Sequence, residues 1–250
     1  MVAEEGAPAG ALAAAGYNGV MEELNLVQRI VIWALPVLFA ITVHEVAHGW
    51  MALKLGDRTA LMLGRLTLNP IRHIDPVGTL LVPGLMLLVG GFIFGWAKPV
   101  PVTWENLKHP KRDMALVAVV GPLANLLMMI AWVAILKLGI ALMDSMAWLA
   151  HPFIYMGVAG IFINAVLMVL NLLPLPPLDG GRVVTGLLPD RLAWQYSRIE
   201  PYGFLILLLL FFTHVLGKIM WPLISGIFAM IFVIAAVPAN FFMGILQSII

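Results

Sequence analysis

The chain contains no cysteine, and few of its residues are charged. Without cysteine it has no disulfide framework, no thiolate metal site and no cysteine nucleophile. Charged residues make up 11% of the 250 positions, whereas soluble domains have about 25%. The net charge of +1 comes with 14 scattered Lys and Arg, which form no concentrated basic patch for nucleic acid. These shortages exclude soluble globular enzymes, disulfide-rich scaffolds and nucleic-acid-binding proteins.

Apolar residues are what the sequence has in excess: they account for 62% of the chain, and the mean hydropathy is +1.01. A membrane-spanning helix needs about 20 consecutive, mainly apolar residues. At that length, the chain divides into apolar blocks at 30–53, 76–97, 114–136, 152–178, 201–217 and 219–246. We therefore predict an all-α polytopic membrane protein with about five to six membrane segments and a lipid bilayer as its surroundings.

The second apolar block, at 76–97, is broken by Pro83-Gly84 and Gly90-Gly91. Basic residues collect in the connections on both sides of this block and again after the fourth block, which predicts that all three connections are cytoplasmic. The block then has to enter the membrane and return on the same side. We therefore expect a re-entrant hairpin, with a full span as the alternative.

The segment from Trp96 to Val102 alternates proline with β-branched residues. This composition excludes a helix and favours a short extended edge segment. Such an edge could bind an extended peptide by strand addition. A rigid linker to the next span is an equally good interpretation.

Two histidines and a glutamate interrupt the first apolar block in the pattern His44-Glu45-Val46-Ala47-His48. Residues four apart share one face of a helix, so both imidazoles can bind one divalent cation. Glu45 lies beside them and can take a proton from water. Ionisable side chains are costly in an apolar span and are functional by default. The pattern predicts a catalytic zinc site, with a polar cluster that binds neighbouring helices as the alternative.

A catalytic zinc site has three protein ligands, and this pattern supplies only two. The remaining candidates are Asp179, His73, His109, His151, His214 and Asp75. We favour Asp179 because the prolines before it end the fourth block and the two glycines after it allow close approach of backbone. Its predicted depth, near the cytoplasmic end of a span, also matches that of His44 and His48. A helix cap or turn is the alternative role for Asp179.

Two further motifs follow the histidine pair, Gly121-Pro122-Leu123-Ala124-Asn125 in the third block and the stretch from Asn171 to Gly181 at the end of the fourth. Together the three motifs resemble the site-2 protease family of intramembrane zinc metalloproteases. The resemblance covers the chain from about residue 30 to 181. Residues 69–76 and 96–102 are similar to the short bacterial branch of that family, which predicts a chain without an inserted PDZ-like or nucleotide-sensing domain.

The resemblance implies one zinc ion per chain and a defined set of site residues. The implied ligands are His44, His48 and Asp179, and the implied catalytic base is Glu45. Asn171 and Asn125 are implied to face the active site, where an amide can bind a substrate peptide or a developing oxyanion. A hydrogen bond between helices is the alternative role for each. His73 is a candidate for orienting the zinc ligands, or else stabilises its loop.

We therefore expect an intramembrane zinc endopeptidase that uses water to cut a peptide bond within or near a transmembrane segment of another membrane protein. A transporter or metal carrier with a buried His/Asp ion site is the alternative. No inverted repeat is apparent, and a glutamate beside the first histidine is needed for hydrolysis but not for transport. A protein that retains membrane proteins without cutting them is a third class, which normally lacks the base or a ligand.

The expected organisation has three parts. Residues 1–28 are expected to form a loose, acidic, Ala/Gly-rich N-terminal arm, and residues 29–200 the catalytic membrane core. Residues 201–250 are expected to form a C-terminal transmembrane hairpin that closes near His214 to Lys218 and carries no recognisable chemistry. The basic connections predict an active site toward the cytoplasmic side of a bacterial plasma membrane. The expected partner is a membrane-protein substrate, and nucleic acid is not expected to bind.

Overall fold

The structure of the chain is a computed structural model that describes residues 24–81 and 97–250. Most of the predicted N-terminal arm and most of the predicted re-entrant hairpin lie outside these ranges, as does Trp96. Of the arm, residues 26–28 belong to the first helix.

The described residues form nine α-helices. They are α1 (Leu26–Lys54), α2 (Thr59–Met62), α3 (Pro110–Ala141), α4 (Ala147–Leu172), α5 (Asp179–Leu187), α6 (Asp190–Ser197), α7 (Glu200–Phe212), α8 (Val215–Ala235) and α9 (Ala239–Ile249). Short 3-10 turns lie at Pro70–His73 and Trp104–Asn106, and a π-helical turn at Pro76–Leu81. No strand occurs within 24–81 or 97–250, so the predicted all-α class is confirmed for these parts of the chain.

Four of these helices, α1, α3, α4 and α8, are long and apolar enough to cross a membrane. Helices α7 and α9 are apolar but shorter, with 13 and 11 residues. A span needs about 20 residues, so neither of these two crosses a bilayer as a straight helix. The chain is an integral, polytopic membrane protein.

One apolar block ends as the sequence predicted, and another is interrupted where continuity was expected. Helix α4 ends at Leu172, at the start of the predicted proline-rich turn, because Pro174, Pro176 and Pro177 cannot continue a helix. The last block is divided between α8 and α9, where Ala236 has a φ of 50° and Pro238 lacks an N–H. Proline and a left-handed residue thus set the ends of these helices.

The chain folds into two compact units, each assembled from separate stretches. Among the described residues, one contains 24–36 together with 129–162 and 225–250, and the other contains 37–81, 97–128 and 163–224. In the first unit Phe228 packs against Phe162 and Phe242, with ring centroids 6.3 and 5.1 Å apart. All of the predicted catalytic and metal-binding residues belong to the second unit.

Candidate metal centre

Helix α1 carries His44 and His48 on one face, as their spacing of four residues predicts. Both side chains are buried, and their Nε2 atoms lie 3.0 Å apart. The rings meet nearly edge to face, with centroids separated by 4.6 Å. Two ring nitrogens of one helix therefore converge on one point.

Asp179 reaches the same point from the first turn of α5, after the proline-rich turn that follows α4. Its Oδ2 atom lies 3.2 Å from Nε2 of His44 and 3.2 Å from Nε2 of His48. Gly180 is required at the next position because a Cβ there would overlap the carbonyl oxygens of Leu172 and Leu173. The glycine lets the start of α5 fold back tightly against the end of α4, which brings the carboxylate to the histidines.

The other nitrogen of each ring has a hydrogen-bond acceptor. Nδ1 of His48 lies 2.7 Å from the main-chain oxygen of Val117, which can only accept. Nδ1 of His44 lies 2.6 Å from Oδ1 of Asn125. Each Nδ1 therefore carries a proton, and in the neutral imidazole, the form that binds a metal, each Nε2 then presents a lone pair to the other and to Asp179.

Three electron-pair donors thus face one another in a buried space, an arrangement that is repulsive without a cation between them. Oδ2 of Asp179 is buried and accepts no hydrogen bond from the described residues. The three atoms are 3.0, 3.2 and 3.2 Å apart, close to the edge of about 3.3–3.4 Å that follows from zinc–ligand distances of 2.0–2.1 Å in a tetrahedral site. Two imidazoles and a carboxylate are a catalytic zinc donor set, so these residues fit the metal.

Helix α3 passes directly beside this group at Gly121. A Cβ atom at this position would overlap Cε1 and Nε2 of His48 and would lie 2.7 Å from Cε1 of His44. Only glycine leaves the space in front of the two rings open. Gly121 is the first residue of the Gly121-Pro122-Leu123-Ala124-Asn125 motif, and this contact gives the glycine of that motif a physical reason.

Glu45 follows His44 on α1 and lines a cavity together with it. Its Oε2 accepts a hydrogen bond of 2.7 Å from the backbone N–H of Val100. Because Pro99 and Pro101 have no N–H, Val100 supplies the only backbone donor of this tripeptide. One turn further along α1, a Cβ at Gly49 would come within 2.8 Å of the Val100 side chain, so the segment packs closely on the helix.

The segment Ala97–Val102 is held at both ends by buried charged side chains. Nη2 of Arg65 donates to the carbonyl oxygens of Lys98 and Pro99, at 2.9 and 3.3 Å. Oδ2 of Asp57 accepts from the N–H of Thr103 at 2.8 Å. The segment contains no helix, as predicted, and it belongs to no strand ladder within the residues that the structure describes. Its use as a binding edge stays a prediction.

Asp57 is itself a buried junction between two loops. It accepts hydrogen bonds from the N–H and hydroxyl of Thr59, the N–H of Thr103 and the side-chain amide of Asn106. Burial alone would raise the pKa of the Asp57 carboxyl, but these donors outweigh it and lower the pKa below its usual value. This carboxylate therefore stays ionised and fixes the end of the segment.

The cavity beside the metal group has a volume of about 520 Å³. Its polar lining includes His44, Glu45 and Asn171, and most of the remaining lining is apolar. The apolar residues are Ile41, Ala97, Pro99, Leu167, Leu170, Pro177, Leu178, Phe204 and Leu207. Helix α7 contributes to this wall, so part of the stretch without recognisable chemistry lies beside the predicted site.

The two predicted asparagines have different positions. Asn171 lies in the last turn of α4, lines the cavity, and donates from Nδ2 to the carbonyl oxygen of Leu167 at 3.0 Å. Asn125 is fully buried, with 0% exposure, and contacts His44. The structure therefore brings Asn171 to the cavity surface and Asn125 behind a predicted zinc ligand.

The other histidines lie apart from the group of three. His73 is buried in its loop, where Nε2 bonds to the carbonyl oxygen of Thr67 at 2.8 Å. His109 is exposed next to Asp113, His151 lies in the first turns of α4, and His214 lies between α7 and α8 with a φ of 60°. Among the described residues, His44, His48 and Asp179 form the single group of three that could hold a metal.

Asn164 is a buried polar residue behind the site that none of the sequence motifs indicates. Asn164 of α4 is 0% exposed, and its Oδ1 accepts a hydrogen bond of 3.0 Å from Nδ2 of Asn125. A signal was available, since an amide inside a strongly apolar helix is costly and Asn164 lies seven residues before Asn171 on a similar face.

Comparison with known proteins gives one family. The profile described as "Peptidase family M50" matches residues 137–214. A protein of Bacillus subtilis (strain 168) that is named as a zinc metalloprotease, YwhC, is 39% identical over 204 residues, 81% of this chain and 89% of that protein. A protein of Mycolicibacterium smegmatis that is also named as a zinc metalloprotease, Rip2, is 31% identical over 195 residues, which cover 76% of this chain and 70% of that protein. No solved structure matches the chain.

Proposed function

The chain belongs to peptidase family M50, the site-2 protease family of zinc metalloendopeptidases, and we propose that it cuts a peptide bond within or near a transmembrane segment of another membrane protein. The observation that carries this proposal is the convergence of His44, His48 and Asp179 beside a largely apolar cavity that Glu45 also lines. A cavity with apolar walls suits a substrate segment that comes from the bilayer.

We assign His44, His48 and Asp179 as the three protein ligands of one zinc ion per chain. Both imidazoles are held with the Nε2 lone pair directed at the site, and Asp179 adds a carboxylate oxygen. Zinc bound there would supply a Lewis acid that polarises a peptide carbonyl and lowers the pKa of a water molecule. The protein's contribution is a site whose ligands are already oriented before the ion binds.

Glu45 is assigned as the catalytic base. It takes a proton from the attacking water and passes it to the leaving amine. The 2.7 Å hydrogen bond from Val100 holds Oε2 and therefore defines the position of the carboxylate. We assign the other oxygen, Oε1, as the atom that receives the proton.

Substrate binding is assigned to the cavity and the Ala97–Val102 segment. A helical peptide bond is shielded and its carbonyl is already hydrogen-bonded, so the substrate has to be extended at the cleavage position. Nδ2 of Asn171 already bonds within α4, which leaves Oδ1 to accept a substrate N–H. For Asn125 we replace the predicted substrate contact by a positioning role, because its Oδ1 atom is used by His44.

The site is proposed to face the cytoplasmic side of a bacterial plasma membrane, because the end of α1 that carries His48 terminates in Lys54 and is followed by Arg58. The chain has no cysteine, so single cysteines report topology without background. In sealed right-side-out bacterial cells, a membrane-impermeant maleimide should label Ser145→Cys and not Arg58→Cys. The reverse labelling would overturn the orientation.

The cleavage proposal is tested by comparing wild type with Glu45→Gln in a bacterial host that lacks its own members of this family. New protein termini in the membrane fraction are mapped by mass spectrometry. We expect termini within or beside transmembrane segments that depend on Glu45, with a loss of cleavage of about 10²–10⁴-fold in the variant. Zinc content should remain unchanged, since Glu45 is not a ligand.

Glu105→Gln is the matched control, because it makes the same chemical change at an exposed position outside the cavity. It should cut at the wild-type rate. Equal cleavage by wild type and Glu45→Gln, or Glu45-dependent termini found only in soluble domains, would contradict the proposal. Zinc transport that survives in Glu45→Gln would instead indicate the carrier that the peptidase family disfavours.

A further inference from the structure

A chain of buried amides extends behind the metal centre, away from the cavity. Nδ1 of His44 bonds to Oδ1 of Asn125 at 2.6 Å, and Nδ2 of Asn125 donates to Oδ1 of Asn164 at 3.0 Å. Both asparagines have 0% exposure. The two asparagines lie on different apolar helices, α3 and α4. Their amides are shielded from water, so they make their hydrogen bonds to other groups of the protein.

The direction of these hydrogen bonds follows from the acceptors. Nδ2 of Asn125 also lies 3.4 Å from the main-chain oxygen of Ala40, which can only accept. The Asn125 atom that faces Ala40 and Asn164 must therefore be the nitrogen, and the atom that faces His44 must be the oxygen. An oxygen at that position requires a proton on Nδ1 of His44, and in the neutral imidazole that binds a metal this leaves Nε2 without one.

We propose that Asn164 is a positioning residue for the metal centre, which sets the tautomer of His44 through the orientation of the Asn125 amide. If Asn125 turned over, its N–H would face Nδ1, and the proton of His44 would move to Nε2. That proton would then occupy the direction in which His44 meets His48 and Asp179. The acceptor oxygen of Asn164 favours the productive orientation.

This inference rests on the proposed function only in that the site binds zinc. The orienting partners of metal-binding histidines typically contribute 10–100-fold to metal affinity. We therefore expect Asn164→Leu, which keeps the shape of the side chain but removes the acceptor, to weaken zinc binding by about 10–100-fold. Asn164→Ala should do the same, whereas Asn164→Asp keeps an acceptor oxygen and should recover most of the affinity.

The measurement is the zinc dissociation constant of the detergent-purified full chain, obtained by competition with a chromophoric chelator. The packing control is Ile161→Ala, a fully buried apolar position one turn earlier in α4. It should lower the melting temperature and leave zinc affinity unchanged. A second readout is the pair of 15N shifts of the His44 ring in the zinc-free protein at a pH where the ring is neutral, where Asn164→Leu should shift the population from the Nδ1–H to the Nε2–H tautomer.

The outcomes separate the two claims. If wild type binds no zinc, the proposed function fails. If wild type binds zinc and both Asn164→Leu and Asn164→Ala bind it equally well with an unchanged His44 tautomer, the positioning role alone is overturned. The positioning role is also overturned if Asn164→Asp binds zinc as weakly as Asn164→Leu. In that case the acceptor oxygen at position 164 would not be the property that sets the zinc affinity.

Discussion

Asp57 and Asp179 are both buried aspartates, with exposures of 1% and 5%, but their surroundings are opposite. Asp57 is surrounded by donors, namely the backbone and side chains of a loop junction. Asp179 faces Nε2 of His44 and Nε2 of His48, whose protons are on the other ring nitrogen.

This difference separates two uses of a buried carboxylate. Donors that saturate the oxygens of Asp57 offset the cost of burying its charge, so that residue acts as a structural junction. Around Asp179, the lone pairs of the histidines repel the carboxylate, and this repulsion adds to the cost of burying its charge. A bound cation removes the repulsion. Burial alone would not have distinguished the two residues, whereas the partners of each oxygen do.

The largest effect is expected from filling the space at the metal centre. Gly121→Ala places a methyl group against the rings of His44 and His48, so they can no longer converge. We expect zinc affinity to fall at least about tenfold, the scale of a disturbed ligand orientation. Zinc titration of the purified wild-type and Gly121→Ala proteins measures this loss of affinity. The control is Gly226→Ala in α8, where a Cβ meets no described atom within 4 Å. An unchanged zinc affinity in both variants would refute the requirement for glycine at position 121.

An intermediate effect is expected at the donor-saturated carboxylate. Asp57→Asn sets an amide N–H against one of its present donors, which costs about 1–3 kcal/mol for a buried unsatisfied group. The melting temperature in detergent should fall, while zinc affinity should stay within about twofold of wild type because Asp57 is not a ligand. Asp144→Asn is the exposed control. Loss of zinc from Asp57→Asn without loss of stability would contradict the assignment of Asp57 as a structural residue and Asp179 as the metal ligand.

The lowered pKa of Asp57 predicts that the contribution of this residue to stability depends on pH. The pKa of Asp57 is lowered in the folded protein, so its contribution to stability is complete above the ordinary aspartate pKa of about 3.9. It is lost as the pH falls through the lowered value. The difference in melting temperature between wild type and Asp57→Asn should therefore be constant above about pH 5 and shrink below about pH 4. A difference that grows in acid would contradict this sign.

The smallest effect is expected at Asp190, an exposed aspartate that pairs with Lys111 at 2.5 Å. Solvent screens such a pair, and its net contribution is commonly too small to detect. Asp190→Asn should leave both the melting temperature and zinc affinity unchanged. A measurable loss of zinc in this variant would mean that burial and the type of partner do not determine which of the three aspartates affects the metal centre.

Much of the site could be predicted from sequence because its chemistry is rare in an apolar chain. The i, i+4 spacing of His44 and His48 placed both on one face of α1, and the prolines and glycines around Asp179 indicated the turn that delivers it. Those signals are local, and the structure brings these three residues together.

The rest depends on contacts between distant parts of the chain. That Asn125 points at His44 rather than at the cavity, and that Asn164 is its partner, follows from how α1, α3 and α4 pack. Hydropathy also missed the division of the last apolar block, since Val233–Val237 is apolar throughout and the break comes from the backbone at Ala236.

The most direct test of the central claim is the zinc content per chain of the detergent-purified protein, measured for wild type, His44→Ala, Asp179→Ala and Asp57→Ala. The account predicts about one zinc in wild type and in Asp57→Ala, and a clear loss in the other two. Full zinc content in a folded Asp179→Ala variant would contradict the assignment of Asp179 as a ligand. A folded wild-type protein that takes up no zinc on reconstitution would contradict the metal centre itself.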